Sequence, residues 1–218
     1  TYSNNINAGT GSVTVTGINN YENRLSKNFT IYKRGMDDAS ISTIADQEYT
    51  GSYITPTPTI TYNGKTLTKE KDYTLKYSNN FDLTTRALVT ITGTGNFAGS
   101  AFKYFQIVQS DISKGTLTLD NTTFAYTGNN IVVNENLVKN GTSLIRNTDY
   151  TYTIKSGSAT GTTVTDIKNV GIYYVVLDGI NNYTGTISAS FEITSVDLST
   201  SGTIVLSEIE CEYADNII

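Results

Sequence analysis

Histidine is absent from this 218-residue chain. Serine–histidine and cysteine–histidine nucleophilic catalysis are therefore excluded, and zinc loses its commonest ligand. The single cysteine, Cys211, permits no intrachain disulfide. That rules out the small disulfide-stapled domain but not secretion itself. Charge is sparse, with 15 Lys and Arg against 20 Asp and Glu and a formal net charge of -5. With no basic cluster, neither nucleic acid nor an anionic membrane is an expected partner. No apolar run approaches membrane-spanning length, so no membrane insertion is expected in this segment. Proline occurs only at 56 and 58, and Glu, Lys, Ala and Leu are nowhere prominent. Thr, Asn, Ser, Gly and Tyr dominate instead, which favours strands and turns over helices. Regularly placed Val, Ile, Leu and Tyr argue against disorder.

What is present repeats. A closing element recurs as Phe29-Thr30-Ile31, Phe105-Gln106-Ile107 and Phe191-Glu192-Ile193, at intervals of 76 and 86 residues. Before each lies a turn signal: Gly17-Ile18-Asn19-Asn20-Tyr21, Gly93-Thr94-Gly95-Asn96-Phe97 and Gly179-Ile180-Asn181-Asn182-Tyr183. Alignment on these elements makes residues 1–34 the C-terminal half of a repeat and 35–108 a complete copy. Residues 109–194 form a second complete copy, with an insertion at 155–171 that reads as a lengthened surface loop. Residues 195–218 match the N-terminal part of a further copy. There Gly202-Thr203-Ile204-Val205-Leu206 answers Gly115-Thr116-Leu117-Thr118-Leu119, and Tyr213-Ala214-Asp215 answers Tyr126-Thr127-Gly128.

Inside a copy the period is two. Val13 and Val15, Val89 and Ile91, and Val175 and Leu177 stand at matched positions before the turn glycine. Such alternation marks half-buried strands. Tyr73, Leu75 and Tyr77 form a second inward row, answered by Tyr150, Tyr152 and Ile154. Asn63-Gly64 and Asn140-Gly141 each separate β-prone runs, the signature of a type I′ hairpin. Pro56 and Pro58 belong at the start or edge of a strand, where no ladder hydrogen bond is lost. The expected fold is all-β: tandem antiparallel β-sandwich repeats arranged end to end, with about six or seven strands per copy.

Few residues offer chemistry. Cys211 alternates with Ile209 and Tyr213 and reads as a small core residue. Glu208, Glu210 and Glu212 lie between them, as the solvent face of a strand, and Asp37-Asp38 is the other dense acidic site. No pair resembles a hydrolase constellation, so no catalytic residue is assigned. Asp82, Asp166 and Asp178 are the acids considered for calcium, but no Asp-rich calcium loop exists, and no metal or cofactor is expected. Tyr21, Phe97 and Tyr183 follow the repeated turn and are the weak ligand-binding candidates. Core packing at the sandwich end is the competing role for their rings.

Several elements together resemble a known family. They are Ile54-Thr55-Pro56-Thr57-Pro58-Thr59-Ile60, Asn63-Gly64-Lys65-Thr66-Leu67, Asp72-Tyr73-Thr74, Tyr77-Ser78-Asn79-Asn80, Gly93-Thr94-Gly95-Asn96-Phe97 and Phe105-Gln106-Ile107. They resemble the tandem Ig-like repeats of large cell-surface proteins of Firmicutes, clostridia above all. The second full copy departs from the pattern, lacking the Pro-Thr run and the Tyr-Ser-Asn-Asn element. The resemblance implies an extracellular, cell-wall setting and a non-enzymatic stalk, spacer or fibre segment. Its alternatives are an adhesin module for glycan or host protein and a self-assembling filament or virion fibre subunit. Expected partners are neighbouring repeats of the same array or adjacent chains. Surface domains of similar setting carry Lys–Asn isopeptide or Thr–Gln ester links. Here Lys103 and Gln106 occur in one complete closing strand and neither in the other, which argues against such a staple. Residue 218 aligns near residue 54 and Thr1 aligns with Lys76, so the two end pieces together lack counterparts of residues 55–75. The chain is therefore expected to be an excised stretch of a longer array.

Overall fold

The computed structural model describes residues 1–202. The readings made for Thr203–Leu206, Glu208, Glu210, Cys211, Glu212 and Tyr213 lie outside the described residues. The fold is all-β. It divides into two compact units, Thr1–Ile112 with Gly179–Gly185, and Ser113–Asp178 with Thr186 onward.

In the first unit the period-two rows decide the packing. Strands Gln47–Glu48, Ser100–Val108, Thr84–Gly93 and Tyr73–Ser78 form a four-stranded sheet in that order. Ser40–Ile41, Ile60–Tyr62 and Lys65–Thr66 form a three-stranded sheet. Ile60 from the second sheet packs with Tyr73, Val89 and Ile91 from the first, together with Met36 and Phe97, so the two sheets enclose one core. Ile54, Ala87, Phe105 and Ile107 make a second cluster. Tyr73, Val89, Ile91, Phe105 and Ile107 are buried as their alternation predicts, while Leu75 is half-buried against the same core. Tyr2–Ser3, Gly9–Thr16 and Arg24–Ile31 form a separate antiparallel sheet.

The second unit repeats the scheme. Thr116–Leu119, Glu135–Lys139 and Thr142–Ser143 form a three-stranded sheet. Thr123–Ala125, Thr186–Thr194, Gly171–Gly179, Tyr150–Ser156 and Thr162–Thr163 form a five-stranded one. Tyr150, Ile154, Val175, Leu177, Phe191 and Ile193 are buried.

The two Asn-Gly pairs sit at equivalent two-residue hairpin tips. Asn63 and Gly64 have φ of 48 and 74°, and Asn140 and Gly141 of 52 and 78°. Both positive angles are what a type I′ turn demands. Pro58 is buried just before the strand Ile60–Tyr62, clear of the ladder.

Two features depart from the sequence reading. Not all pairing is antiparallel: Gln47–Glu48 runs parallel to Ile107–Val108, and Thr123–Ala125 parallel to Glu192–Thr194. These short strands reach the edge of the closing strand from the opposite sheet, so no hairpin signal marks them. The insertion at 155–171 is also more than a surface loop. Thr162–Thr163 pairs with Lys155–Ser156, and Ile167 is buried with its N–H donated to Asn130 Oδ1 at 2.8 Å.

Candidate functional site

The repeated turn has the same construction three times. The aromatic N–H donates to the carbonyl three residues earlier: Tyr21 to Ile18 at 3.2 Å, Phe97 to Thr94 at 2.9 Å and Tyr183 to Ile180 at 3.0 Å. The preceding glycine is required by close approach. A Cβ would lie 2.6 Å from Tyr21 O at Gly17, 2.8 Å from Ala98 N at Gly93 and 2.7 Å from Thr184 N at Gly179. No side chain fits at such distances without moving backbone.

At Phe97 and at Tyr183 a roof covers the aromatic residue. Arg34–Gly35 pairs parallel with Phe97–Ala98, and the Arg34 N–H donates to Asn96 O at 2.9 Å. Ser110–Asp111 pairs with Tyr183–Thr184 in the same way, and the Ser110 N–H donates to Asn182 O at 3.0 Å. The next residue, Met36 or Ile112, is fully buried. Phe97 and Tyr183 are consequently 8% and 7% exposed, whereas Tyr21 is 78% exposed. Two of the three candidate ligand aromatics are thus packed against the chain itself. Tyr21 instead lines an open cleft of about 360 Å³ with Val15, Ile18 and Leu25. Sequence reasoning missed the roof. Its signal was there, since Met36 and Ile112 each stand seven residues after a closing phenylalanine.

A second exposed aromatic group lies in the first unit. Tyr53 and Phe81 meet edge to face at 5.3 Å, beside a cleft of about 320 Å³ that Asn79, Asn80 and Asp82 also line. Of these residues only Asp82 is a ligand candidate in the sequence, for calcium.

The densest polar cluster is in the second unit. The Glu135 side chain is 2% exposed. Arg146 donates to both of its oxygens, through Nε at 2.8 Å and through Nη2, and the Tyr150 hydroxyl donates at 2.9 Å. The guanidinium also lies 3.9 Å from the centre of the Tyr152 ring. Arg146 Nε and Nη2 and the Tyr150 hydroxyl are all engaged with Glu135. Asp149 and its counterpart Asp72 are similarly occupied, accepting from Ile145 N at 2.7 Å and Thr68 N at 2.8 Å to close matching turns.

The remaining candidates do not converge. Asp166 pairs with Lys168 at 2.9 Å, and Asp178 accepts from the Thr186 hydroxyl. Among the described residues no group of three or more Cys, Asp or Glu could hold a metal ion. Lys103 and Gln106 occupy opposite faces of their strand, with Gln106 exposed, so they cannot meet in the core. No family profile, no curated protein and no solved structure matches the chain.

Burial, and then the hydrogen bond to Glu135, push the Tyr150 phenol up to about 12 from 10.0. The neutral phenol is thereby favoured in the folded state. Its contribution to stability is complete below about pH 10 and is lost as pH rises toward 12. Denaturant midpoints of the second unit are expected to fall more steeply across that window in the wild type than in Tyr150→Phe. Equal slopes would show that Tyr150 is not the group responsible.

Proposed function

We propose that this chain is a non-enzymatic stalk or spacer segment of a bacterial cell-surface protein, built from tandem Ig-like repeats and working outside the cell. The observation that carries the reading is where the shared residues are used. Gly93 and Gly179, Phe97 and Tyr183, Met36 and Ile112, and Asp72 and Asp149 all serve internal packing or turn closure. Residues that recur between copies therefore specify the module and leave no common set for a ligand. The motif resemblance to Firmicute surface repeats supports the extracellular setting. A modular spacer acts mechanically, holding a distal part of its protein away from the cell wall.

One observation favours an adhesin reading. The exposed Tyr53 and Phe81 rings lie beside amide and carboxylate groups, a mixture suited to stacking on a sugar while hydrogen-bonding its hydroxyls. A glycan array together with peptide, ester and glycoside substrates separates the two. The spacer reading expects no turnover, no glycan retained, and a melting temperature unmoved by calcium or EDTA. Glycan binding lost in Tyr53→Ala would replace it with the adhesin reading. A calcium-dependent rise of several degrees would instead establish a metal site, because a ligand specific to the native state must stabilise it.

A further inference from the structure

The segment that opens the first unit's two-sheet core and the segment that closes it meet only through parallel pairs. Arg34–Gly35 runs parallel with Phe97–Ala98, and the Arg34 N–H donates to Asn96 O at 2.9 Å. Gln47–Glu48 runs parallel with Ile107–Val108, and the Tyr49 N–H donates to Val108 O at 2.9 Å. The closing segment is thus held at its start and again at its end. Side chains back both contacts. Met36, next to Gly35, is fully buried with Phe97, Val89 and Ile91. Ile107 is buried with Ile54 and Phe105, and Tyr49 packs against that cluster. The buried Asn80 then pins Ile54, whose N–H donates to Asn80 O at 2.8 Å and whose carbonyl accepts from Asn80 Nδ2 at 3.0 Å. The second unit closes in the same way. Thr123–Ala125 runs parallel with Glu192–Thr194, and the Glu192 N–H donates to Thr122 O and the Tyr126 N–H to Thr194 O, both at 2.9 Å.

We infer that these parallel pairs are load-bearing clasps, through which each unit resists tension along the chain. Tension reaching the first unit through Lys33 draws the opening segment toward its N-terminal side. Tension leaving through Gln109 draws the closing strand toward its C-terminal side. Parallel neighbours pulled in this way slide lengthwise past each other, so the hydrogen bonds that lie across the pull are strained together. Neighbours pulled apart at one shared end open one bond at a time instead. Forced unfolding is governed by the unfolding rate rather than by equilibrium stability. Strands of two residues, Arg34–Gly35 and Gln47–Glu48, can therefore set mechanical strength while contributing little to folding. The long ladder of Thr84–Gly93 with Ser100–Val108 is antiparallel, and the parallel pairs stand where load enters and leaves. The source of the load rests on the spacer reading, whereas the clasp rests on the strand pairing alone.

Single-molecule pulling between two introduced cysteines in the full chain, with Cys211→Ser, tests this. Lys33→Cys with Gln109→Cys loads the opening and closing segments in shear. Ser52→Cys with Gln109→Cys pulls apart the neighbouring ends of the same segments and peels them. All three side chains are exposed. Gln109→Cys is common to both proteins, so the loss of its bonds to Asn181 O and Tyr183 O cancels, and their denaturant midpoints should agree. At about 3.6 Å per residue, complete opening releases about 270 Å of chain in the first protein and about 200 Å in the second, which identifies the event. The shear tether is expected to rupture at a severalfold higher force than the peeling tether at one loading rate. Equal forces, or a higher force for the peeling tether, overturn the inference and leave the spacer reading to the glycan and substrate panel. Glycan retention in that panel would remove the spacer reading and leave the clasp standing.

Discussion

Phe105→Ala is expected to cost about 3–5 kcal/mol in the first unit, and Phe191→Ala about the same in the second. Phe105 is 3% exposed and packs with Ile54, Ala87 and Ile107. Phe191 is 2% exposed, stacks on Tyr173 at 5.5 Å and meets Phe124 edge-on at 5.8 Å. Truncating either ring removes a large buried apolar area and leaves a cavity that the surrounding strands cannot close. Phe29, the matching residue of the strand Arg24–Ile31, is only half-buried, covered by Gly11 and by Tyr2 at 6.5 Å. Phe29→Ala should therefore cost about 1 kcal/mol, because much of the ring already meets water. Denaturant unfolding followed by tyrosine fluorescence reads all three, there being no tryptophan to mask it. The two units can unfold in separate steps, so each loss should appear in its own transition. Equal costs at all three positions would remove the distinction between complete and partial copies.

Arg146→Ala is expected to destabilise the second unit by about 2–3 kcal/mol. Removing one partner of a wholly buried ion pair costs about 3–5 kcal/mol, because the other charge is left unpaired in a medium that solvates it poorly. Here the Arg146 side chain is 41% exposed while Glu135 is enclosed, so water partly replaces the lost guanidinium and the cost is lower. The Tyr150 hydroxyl remains as one donor to the stranded carboxylate. Replacing both partners, as Glu135→Leu with Arg146→Met, should cost less than Arg146→Ala alone, because no charge is left behind. A double-mutant cycle measures this. Additive costs in that cycle would mean that the pair contributes nothing jointly.

The matched turns and strand rows could be read from sequence because their residues meet local demands. Asn-Gly has to supply two positive φ angles, and Gly93 and Gly179 have to let backbone approach backbone. Val89, Ile91, Val175 and Leu177 had to alternate to share one face. What escaped the sequence depends on contacts distant along the chain. The parallel edge strands are two or three residues long, too short for a period to appear. The parallel roof over Phe97 and Tyr183 joins residues more than sixty positions apart. Glu135 and Arg146 occur in only one copy, with Pro58 and Lys69 at the aligned positions of the other, so the repeat pattern conceals them. For the candidate site the outcome is mixed. The turn aromatics were found, but which of them is buried depends on a segment more than sixty positions earlier in the chain.

The most direct measurement lengthens the array. Duplicating residues 33–108, one full period, adds a copy at a junction that the chain already uses. If copies act as spacers, X-ray scattering should show the largest dimension rising by roughly 26 Å per added copy, the span of a strand of about eight residues. A largest dimension that stays constant as copies are added would contradict the account.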